Sequence, residues 1–271
     1  MPEHAGAPSG EAPRGASDSV RTGSAPSETP SVDAQDDGGM EVLRAAYVDG
    51  AYEEVVRRAR KRRRGGLDSA EVIPTNVLLG RAEQARGRHE AAIEALRRAR
   101  IAASERGRSM VAIDRALGES YVALYRWPQA ASAFRRVLDA QPRDRAARRA
   151  LAEVYRCSRQ WKKARAQYKR LVRADSSNGQ WWARLAQCAL QLNATGQAVR
   201  HFTEAHRRLP QAADVALSLS QLYRARDRLD AARSVVDTTL SRQSGDPRLW
   251  RRRADLAFER DHLDRARRAY T

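Results

Sequence analysis

The chain has 271 residues, with 51 lysines and arginines against 33 aspartates and glutamates, which gives a formal net charge of +18 at pH 7. No apolar run approaches the length of a membrane span, which argues against a transmembrane protein. The N-terminus lacks a basic segment followed by an apolar one, so no secretory signal is predicted and a cytoplasmic location is expected. Two cysteines cannot form a disulfide scaffold.

Residues 1–39 differ in composition from the rest of the chain. Gly, Pro, Ser and Ala occupy 23 of these 39 positions, too little apolar surface to offset the entropy of ordering. We therefore predict a disordered N-terminal tail. It has seven acidic and two basic residues, a net charge of −5, whereas residues 40–271 have 49 basic and 26 acidic residues, a net charge of +23. The tail is either a solvated extension or an acidic arm that screens the basic body.

From Met40 onward, apolar residues recur at spacings of three and four, separated by short polar breaks, which predicts helices of about a dozen residues. Five short segments each begin 34 residues after the previous one: LGESY at 117–121, LAEVY at 151–155, LAQCA at 185–189, LSQLY at 219–223 and RADLA at 253–257. An earlier copy at 78–99 is displaced by four extra residues, and a weaker copy occupies about 40–64. The sequence therefore predicts a repeat of paired helices.

Three further sets of residues keep this period. Small residues, which allow two helices to approach closely, occupy one phase of the first helix: Gly80, Gly118, Ala152, Ala186 and Ser220. The second helix repeats an alanine and, four residues later, a large residue: Ala130, Ala164, Ala198, Ala232 and Ala266, then Phe134, Tyr168, Phe202, Val236 and Tyr270. A single hairpin with this pattern cannot bury its apolar face alone, so successive hairpins must stack.

This pattern resembles the tetratricopeptide repeat (TPR) family. The matching residues include Leu79, Gly80, Gly87, Ala92, Leu96 and Ala99, then Leu117, Gly118, Tyr121, Ala130, Phe134 and Pro142, and then Trp182, Leu185, Ala198, Phe202, Ala205 and Pro210. The resemblance implies an all-α fold over residues 40–271. This fold is a right-handed α-solenoid of about six to seven stacked helix-turn-helix hairpins, whose first helices line a concave groove.

The TPR phase places ten polar residues on this groove: Arg115, Glu119, Arg149, Glu153, Arg156, Gln187, Gln221, Arg224, Arg251 and Asp255. Three arginines precede an acidic residue by four positions, at 115/119, 149/153 and 251/255, so each pair shares a helix face. The pairs either satisfy one another or present a charge-alternating groove to a protein or peptide partner. Tyr125 and Phe258 depart from the pattern and are possible contact residues, whereas the five tryptophans are predicted to lie in the core.

A second charged feature lies late in the second helices of the first four copies. We name it the basic ridge, and it comprises Arg57, Arg58, Arg60, Lys61, Arg62, Arg63, Arg64, Arg97, Arg98, Arg135, Arg136, Lys169 and Arg170. These cations either complement the helix dipole or bind a polyanion, which would be RNA or DNA, an anionic membrane or an acidic protein.

The chain stops at Tyr270-Thr271, within the expected second helix of the last repeat and without a capping helix. The sequence is then a fragment, or this end forms a homodimer, or another subunit covers it. We find no nucleophile–base pair and predict no metal or cofactor. The sequence predicts a non-enzymatic protein-interaction scaffold for the assembly or regulation of a larger complex. Two alternatives are a nucleic-acid or polyanion binder that uses the basic ridge, and an enzyme subunit with its active site elsewhere in a longer polypeptide.

Overall fold

A computed structural model describes the backbone of residues 39–269 and the side chains of residues 39–264, over which the chain forms thirteen α-helices and no strand. The helices are α1 (Gly39–Val48), α2 (Tyr52–Gly65), α3 (Val72–Ala85), α4 (His89–Glu105), α5 (Val111–Ala123), α6 (Trp127–Ala140), α7 (Arg145–Cys157), α8 (Trp161–Ala174), α9 (Gly179–Gln191), α10 (Thr195–Arg208), α11 (Ala213–Arg224), α12 (Leu229–Leu240) and α13 (Pro247–Ala269). The predicted tail lies outside the described residues except for Gly39, where α1 begins. Tyr270 also lies outside them.

The helices from α1 to α12 pair into six hairpins, and α13 packs on α11 and α12. The first helices of successive hairpins contact one another at α1–α3, α3–α5 and α11–α13. Contacts between second helices of the described hairpins are smaller than these. The first helices therefore lie on the inner side of the stack. These contacts confirm the predicted all-α solenoid. No helix between Gly39 and Ala269 is long and apolar enough to cross a membrane.

The core runs along the stack as three successive clusters of buried residues, which share α4 and α9. In two hairpins, the small residue of the first helix directly contacts the large residue of the second. A Cβ atom added to Gly118 would lie 2.8 Å from Cζ of Phe134, and one added to Gly80 would lie 2.6 Å from Cγ of Leu96. Ala152 and Ala186 are fully buried at the equivalent positions. The predicted close approach of paired helices is confirmed.

Each first helix from α1 to α11 is followed by a left-handed residue that reverses the chain. These residues are Gly50, Gly87, Tyr125, Arg159, Asn193 and Asp227, with φ between 55° and 76°, and the last four are spaced by 34 positions. The following amide closes the turn, as in the bond from Gln160 N to Tyr155 O at 2.8 Å. Tyr125 and Arg159 thus adopt a conformation that costs residues with a Cβ atom about 1 kcal/mol or more.

We expect Arg159→Gly to stabilise the fold by about 1 kcal/mol, because glycine adopts the left-handed conformation without steric cost. The Arg159 side chain is exposed and forms no ion pair with the described residues, so little else is lost. The matched control is Gly87→Ala, which meets no atom within 4 Å and introduces only backbone strain. It should shift the urea midpoint in the opposite direction. Equal midpoints for the two variants would contradict this account.

The last repeat differs from the prediction. A turn was expected near Asp261 by the period, but α13 continues as one helix from Pro247 to Ala269. Two pairs of residues, each four positions apart, span the expected turn and stabilise the helix. The Phe258 ring lies 4.5 Å from the His262 ring, and Arg260 pairs with Asp264 at 3.9 Å. The predicted second helix of the last repeat is therefore wrong.

The prediction that all tryptophans lie in the core also needs one correction. Trp127, Trp161, Trp181 and Trp182 are partly buried against the core, but Trp250 is 47% exposed. Its indole Nε1 donates to the carbonyl of Ser244 at 2.7 Å. Trp250 lies on the outermost described helix, so one side of its ring has no further hairpin packed against it.

Candidate functional site

The inner surface contains a cavity of about 310 Å³ between α5, α6 and α7. Apolar side chains form most of its wall, and two carboxylates stand among them; the lining residues are Glu119, Val122, Trp127, Phe134, Ala150, Glu153, Val154 and Cys157. Glu119 and Glu153 were both predicted to face the groove. A mostly apolar cavity with a few polar groups is typical of a binding site.

The Glu153 carboxylate is held in place by three side chains. It accepts hydrogen bonds from Tyr168 Oη at 2.6 Å and from Arg156 Nε at 2.7 Å, and it lies 3.5 Å from Arg184 Nε of the next repeat. Burial opposes ionisation, but these hydrogen bonds outweigh it, so the pKa of Glu153 lies below its usual value. Burial and the bond to Glu153 raise the pKa of Tyr168. Glu153 therefore carries a fixed negative charge at neutral pH.

A second cavity of about 580 Å³ lies three repeats further along the same surface, between α11, α12 and α13. Its residues Gln221, Arg224, Leu229 and Glu259 follow Glu119, Val122, Trp127 and Cys157 by 102 positions each. The continuation of α13 adds Phe258 and His262 to the wall. Phe258 is 66% exposed, and its role as a contact residue stays a prediction.

Polar contacts tie neighbouring first helices together across this surface. Arg184 of α9 pairs with Glu153 of α7, and at the same phase two repeats later Arg252 Nη1 donates to Gln221 Oε1 at 2.5 Å. Arg224 Nε donates to Glu259 Oε2 at 2.8 Å. These contacts fix the spacing of the first helices.

No groove arginine pairs with the acid four residues later within residues 39–264, so the alternative in which these pairs satisfy one another is not observed. Arg115 instead pairs with Asp144, in the loop between α6 and α7, at 2.5 Å, and Glu153 has the partners described above. The partners of Glu153 are Arg156 on the same helix, Tyr168 on the paired helix and Arg184 in the next repeat. Gln187 accepts from Arg184 at 3.2 Å. Four predicted groove residues are exposed and form no ion pair within residues 39–264: Glu119, Arg149, Arg251 and Asp255.

About half of the basic ridge is engaged with carboxylates. Arg57 and Arg58 contact Glu54, Arg60 contacts the buried Glu83, Arg62 contacts Glu71, Arg98 contacts Glu94, and Arg136 contacts the buried Asp114. Arg97 donates to Tyr121 Oη at 3.1 Å. The remaining members have no carboxylate partner within the described part of the chain: Lys61, Arg63, Arg64, Arg135, Lys169 and Arg170.

The cysteines and metal-ligand residues add no site. Cys188 is buried, which raises the pKa of its thiol to about 11, and it packs as the small core residue predicted from its phase. Cys157 is exposed at the first cavity. No group of three or more histidine, cysteine or acidic side chains in the described region could hold a metal ion.

The sequence pattern did not identify the apolar wall of the first cavity. Val122, Trp127 and Ala150 were assigned to packing or left unassigned. A usable signal was present, since Val122 lies one helical turn from Glu119 on α5 and Ala150 lies one turn from Glu153 on α7. Apolar residues on the same face as predicted groove residues indicate an apolar patch in the groove.

Comparison with known proteins supports the assignment of the repeat. The family model for the tetratricopeptide repeat matches residues 121–188 and 189–256. The structure of MamA is 14% identical with a TM-score of 0.58, and the match covers 65% of this chain and 93% of that chain. YrrB, described as a TPR protein with an unusual peptide-binding site, is 17% identical with a TM-score of 0.55, over 66% of this chain and 90% of that chain. A tetratricopeptide repeat protein from Parabacteroides merdae ATCC 43184 is 15% identical with a TM-score of 0.55, over 84% of this chain and 87% of that chain. These likenesses show the fold. No curated protein matches the chain.

Proposed function

Because the chain belongs to the tetratricopeptide repeat family, whose members are generally non-enzymatic scaffolds for protein interactions, we propose that its first helices bind a peptide or helix of a partner protein. The observation that carries the proposal is the cavity between α5 and α7, which combines an apolar wall with the carboxylates of Glu119 and Glu153. The role is one of binding, and it serves the assembly or regulation of a larger complex.

The chemistry of this cavity specifies the partner segment. Its wall accommodates an apolar or aromatic side chain, which would be desolvated on binding and supply most of the affinity. Glu153 is paired with Arg156, whereas Glu119 has no cationic partner within residues 39–264. The cavity therefore favours a lysine or arginine next to that side chain. We infer a segment that pairs a basic residue with a large apolar one. The peptide-binding site described for YrrB supports the use of this fold for such a role.

The basic ridge is a second candidate, as a site for nucleic acid or another polyanion. The cluster of Lys61, Arg63 and Arg64 favours it, since these cations are exposed or half-buried and have no carboxylate partner within the described residues. The groove is preferred because many of the other ridge cations are already paired.

To test the groove, short random peptides are selected for binding to the full chain, and the affinities of the selected peptides are measured for two variants. Glu119→Lys reverses an exposed charge at the cavity, and Ala150→Phe fills the cavity. We expect each change to weaken binding by about tenfold or more, through lost electrostatic attraction and lost apolar contact respectively. The selected peptides should contain a lysine or arginine close to a large apolar residue.

Two matched changes serve as controls. Asp139→Lys makes the same charge change at an exposed position of α6, and Ala146→Phe makes the same size change at an exposed position of α7. Both should leave the affinities within about twofold, a difference of less than half a kcal/mol. Peptides that bind Glu119→Lys and Ala150→Phe as tightly as the unchanged chain would refute the groove as the binding site.

A further inference from the structure

Five arginines line one cavity away from the groove. It has a volume of about 450 Å³ and lies between the N-terminal end of α7, the C-terminal end of α8 and the loop before α7. The lining residues are Pro142, Arg143, Arg145, Arg148, Arg170, Leu171, Arg173 and Ala174, and none of them is acidic. Only Arg170 belongs to the basic ridge.

The arginines of this cavity bond only to neutral groups. Arg148 donates to Gln167 Oε1 at 3.2 Å and to the carbonyl of Pro142, and Arg145 donates to the carbonyl of Ala174 at 3.0 Å. None of the five forms a salt bridge with a described residue. These contacts orient the guanidinium groups of Arg145 and Arg148 and leave their charges without an ion-pair partner.

The two carboxylates that adjoin this cavity in the sequence, Asp144 and Asp175, form their hydrogen bonds with groups outside it. Asp144 pairs with Arg115 at 2.5 Å and accepts the Ala147 amide as the N-cap of α7. Asp175 accepts from the amide and the hydroxyl of Ser177. Burial and the neighbouring Arg170 lower the pKa of Arg148 by more than the Asp144 carboxylate raises it.

In the preceding hairpin, the equivalent positions hold a carboxylate and an arginine that pair with each other. Thirty-four residues before Arg148 and Arg170 stand Asp114 and Arg136, and these two pair at 2.7 Å with the Asp114 side chain buried. The position of Arg173 is likewise occupied by Asp139. In the hairpin of α7 and α8, arginine thus replaces the carboxylate of a buried ion pair. The next hairpin has Trp182 and Glu204 at the two positions, so the accumulation of arginine is particular to this repeat.

We propose that this cavity, which we name the arginine pocket, binds a compact anion that carries two or more phosphate groups. One phosphate takes the place that the Asp114 carboxylate has in the preceding hairpin, between Arg148 and Arg170. The guanidinium fork bonds two phosphate oxygens at once, and five such groups from two helices and a loop match several phosphates better than one carboxylate.

The test is calorimetric titration of the full chain with inorganic tripolyphosphate, with inorganic orthophosphate in a second arm and a single-stranded oligonucleotide in a third. Tripolyphosphate should bind at least about tenfold more tightly than orthophosphate, because it engages more of the arginines through charge-assisted bonds. Arg148→Asp should weaken tripolyphosphate binding by about tenfold or more. It should also keep the chain folded, since it restores the Asp114–Arg136 arrangement within this hairpin.

The matched control is Arg200→Asp, the same charge change at an exposed position of α10, which should leave tripolyphosphate binding nearly unchanged. An equal loss in both variants, or none in either, would show diffuse charge attraction and overturn the proposal. Oligonucleotide binding that ignores Arg148→Asp, together with no tripolyphosphate binding, would assign phosphate recognition to the basic ridge instead. Because the groove peptides are measured separately, either outcome leaves the proposed function intact.

Discussion

Replacing Gly118 with leucine is expected to lower the free energy of unfolding by about 2–3 kcal/mol, the upper part of the range for an over-packed core position. The substituted side chain would meet the Phe134 ring, whose Cζ, Cε1 and Cε2 atoms lie within 2.9 Å of the position of a Cβ atom. Any shift of the ring disturbs the packing of its hairpin or fills the first cavity, because Phe134 is buried in the core and also lines that cavity. Urea denaturation followed by circular dichroism measures the loss.

The control for this change is Gly196→Leu. Gly196 is also helical, near the start of α10, but a Cβ atom there would meet only the Arg226 guanidinium at 3.8 Å. Leucine is the better helix former, so this variant should be neutral or slightly more stable. A similar loss in the two variants would show that the cost lies in the backbone of glycine positions and not in the contact between α5 and α6.

The close packing at Gly118 follows from the sequence because the period is a statement about geometry. Residues that recur every 34 positions experience the same surroundings, so five copies of a small residue opposite a large one indicate a fixed helix–helix contact. The same reasoning locates the left-handed turns and the groove positions of Glu119 and Glu153. It predicts which residues share a face, and the described helices agree with it from α3 to α12.

Side-chain partners could not be predicted in the same way. Arg115 has an acidic neighbour on its own helix, yet it pairs with Asp144 in the loop between α6 and α7. Glu153 accepts a hydrogen bond from Tyr168 of the paired helix. The strength of such a pair depends on distances set by packing between hairpins, which a one-dimensional period does not contain. The continuous α13 has the same origin, since local contacts such as Phe258–His262 override the period at the end of the described stack.

The sequence indicates the arginine pocket through a difference in residue type at equivalent positions of successive repeats. Comparing the same phase in successive copies gives Asp114, Arg148 and Trp182, and the charge reverses between the first two. Positions that change sign while their surroundings repeat are informative, because the fold does not require the change. The departures from the repeat, more than the repeat itself, therefore distinguish this chain within its family.

Phe202→Ala is expected to be the most damaging of the substitutions considered, with a loss of about 3–5 kcal/mol, the range for removing a buried phenylalanine. The ring is fully buried opposite Ala186, in the core cluster that runs from α9 to α13. Helices in this fold pack on their near neighbours along the chain, so the loss stays local and the helices around α10 should unfold before the rest. Amide hydrogen exchange in α10 and α11 should accelerate by about a hundredfold or more.

Exchange in α4 and α5 serves as the internal reference, because these helices belong to the preceding core clusters and should keep their protection. Trp250→Ala is the matched variant. It removes a larger ring that is 47% exposed, so it should cost about 1 kcal/mol and leave α10 protected. Uniform acceleration from α4 to α12 in Phe202→Ala would instead mean that the solenoid unfolds as one cooperative unit, with the hairpin interfaces stronger than the hairpins themselves.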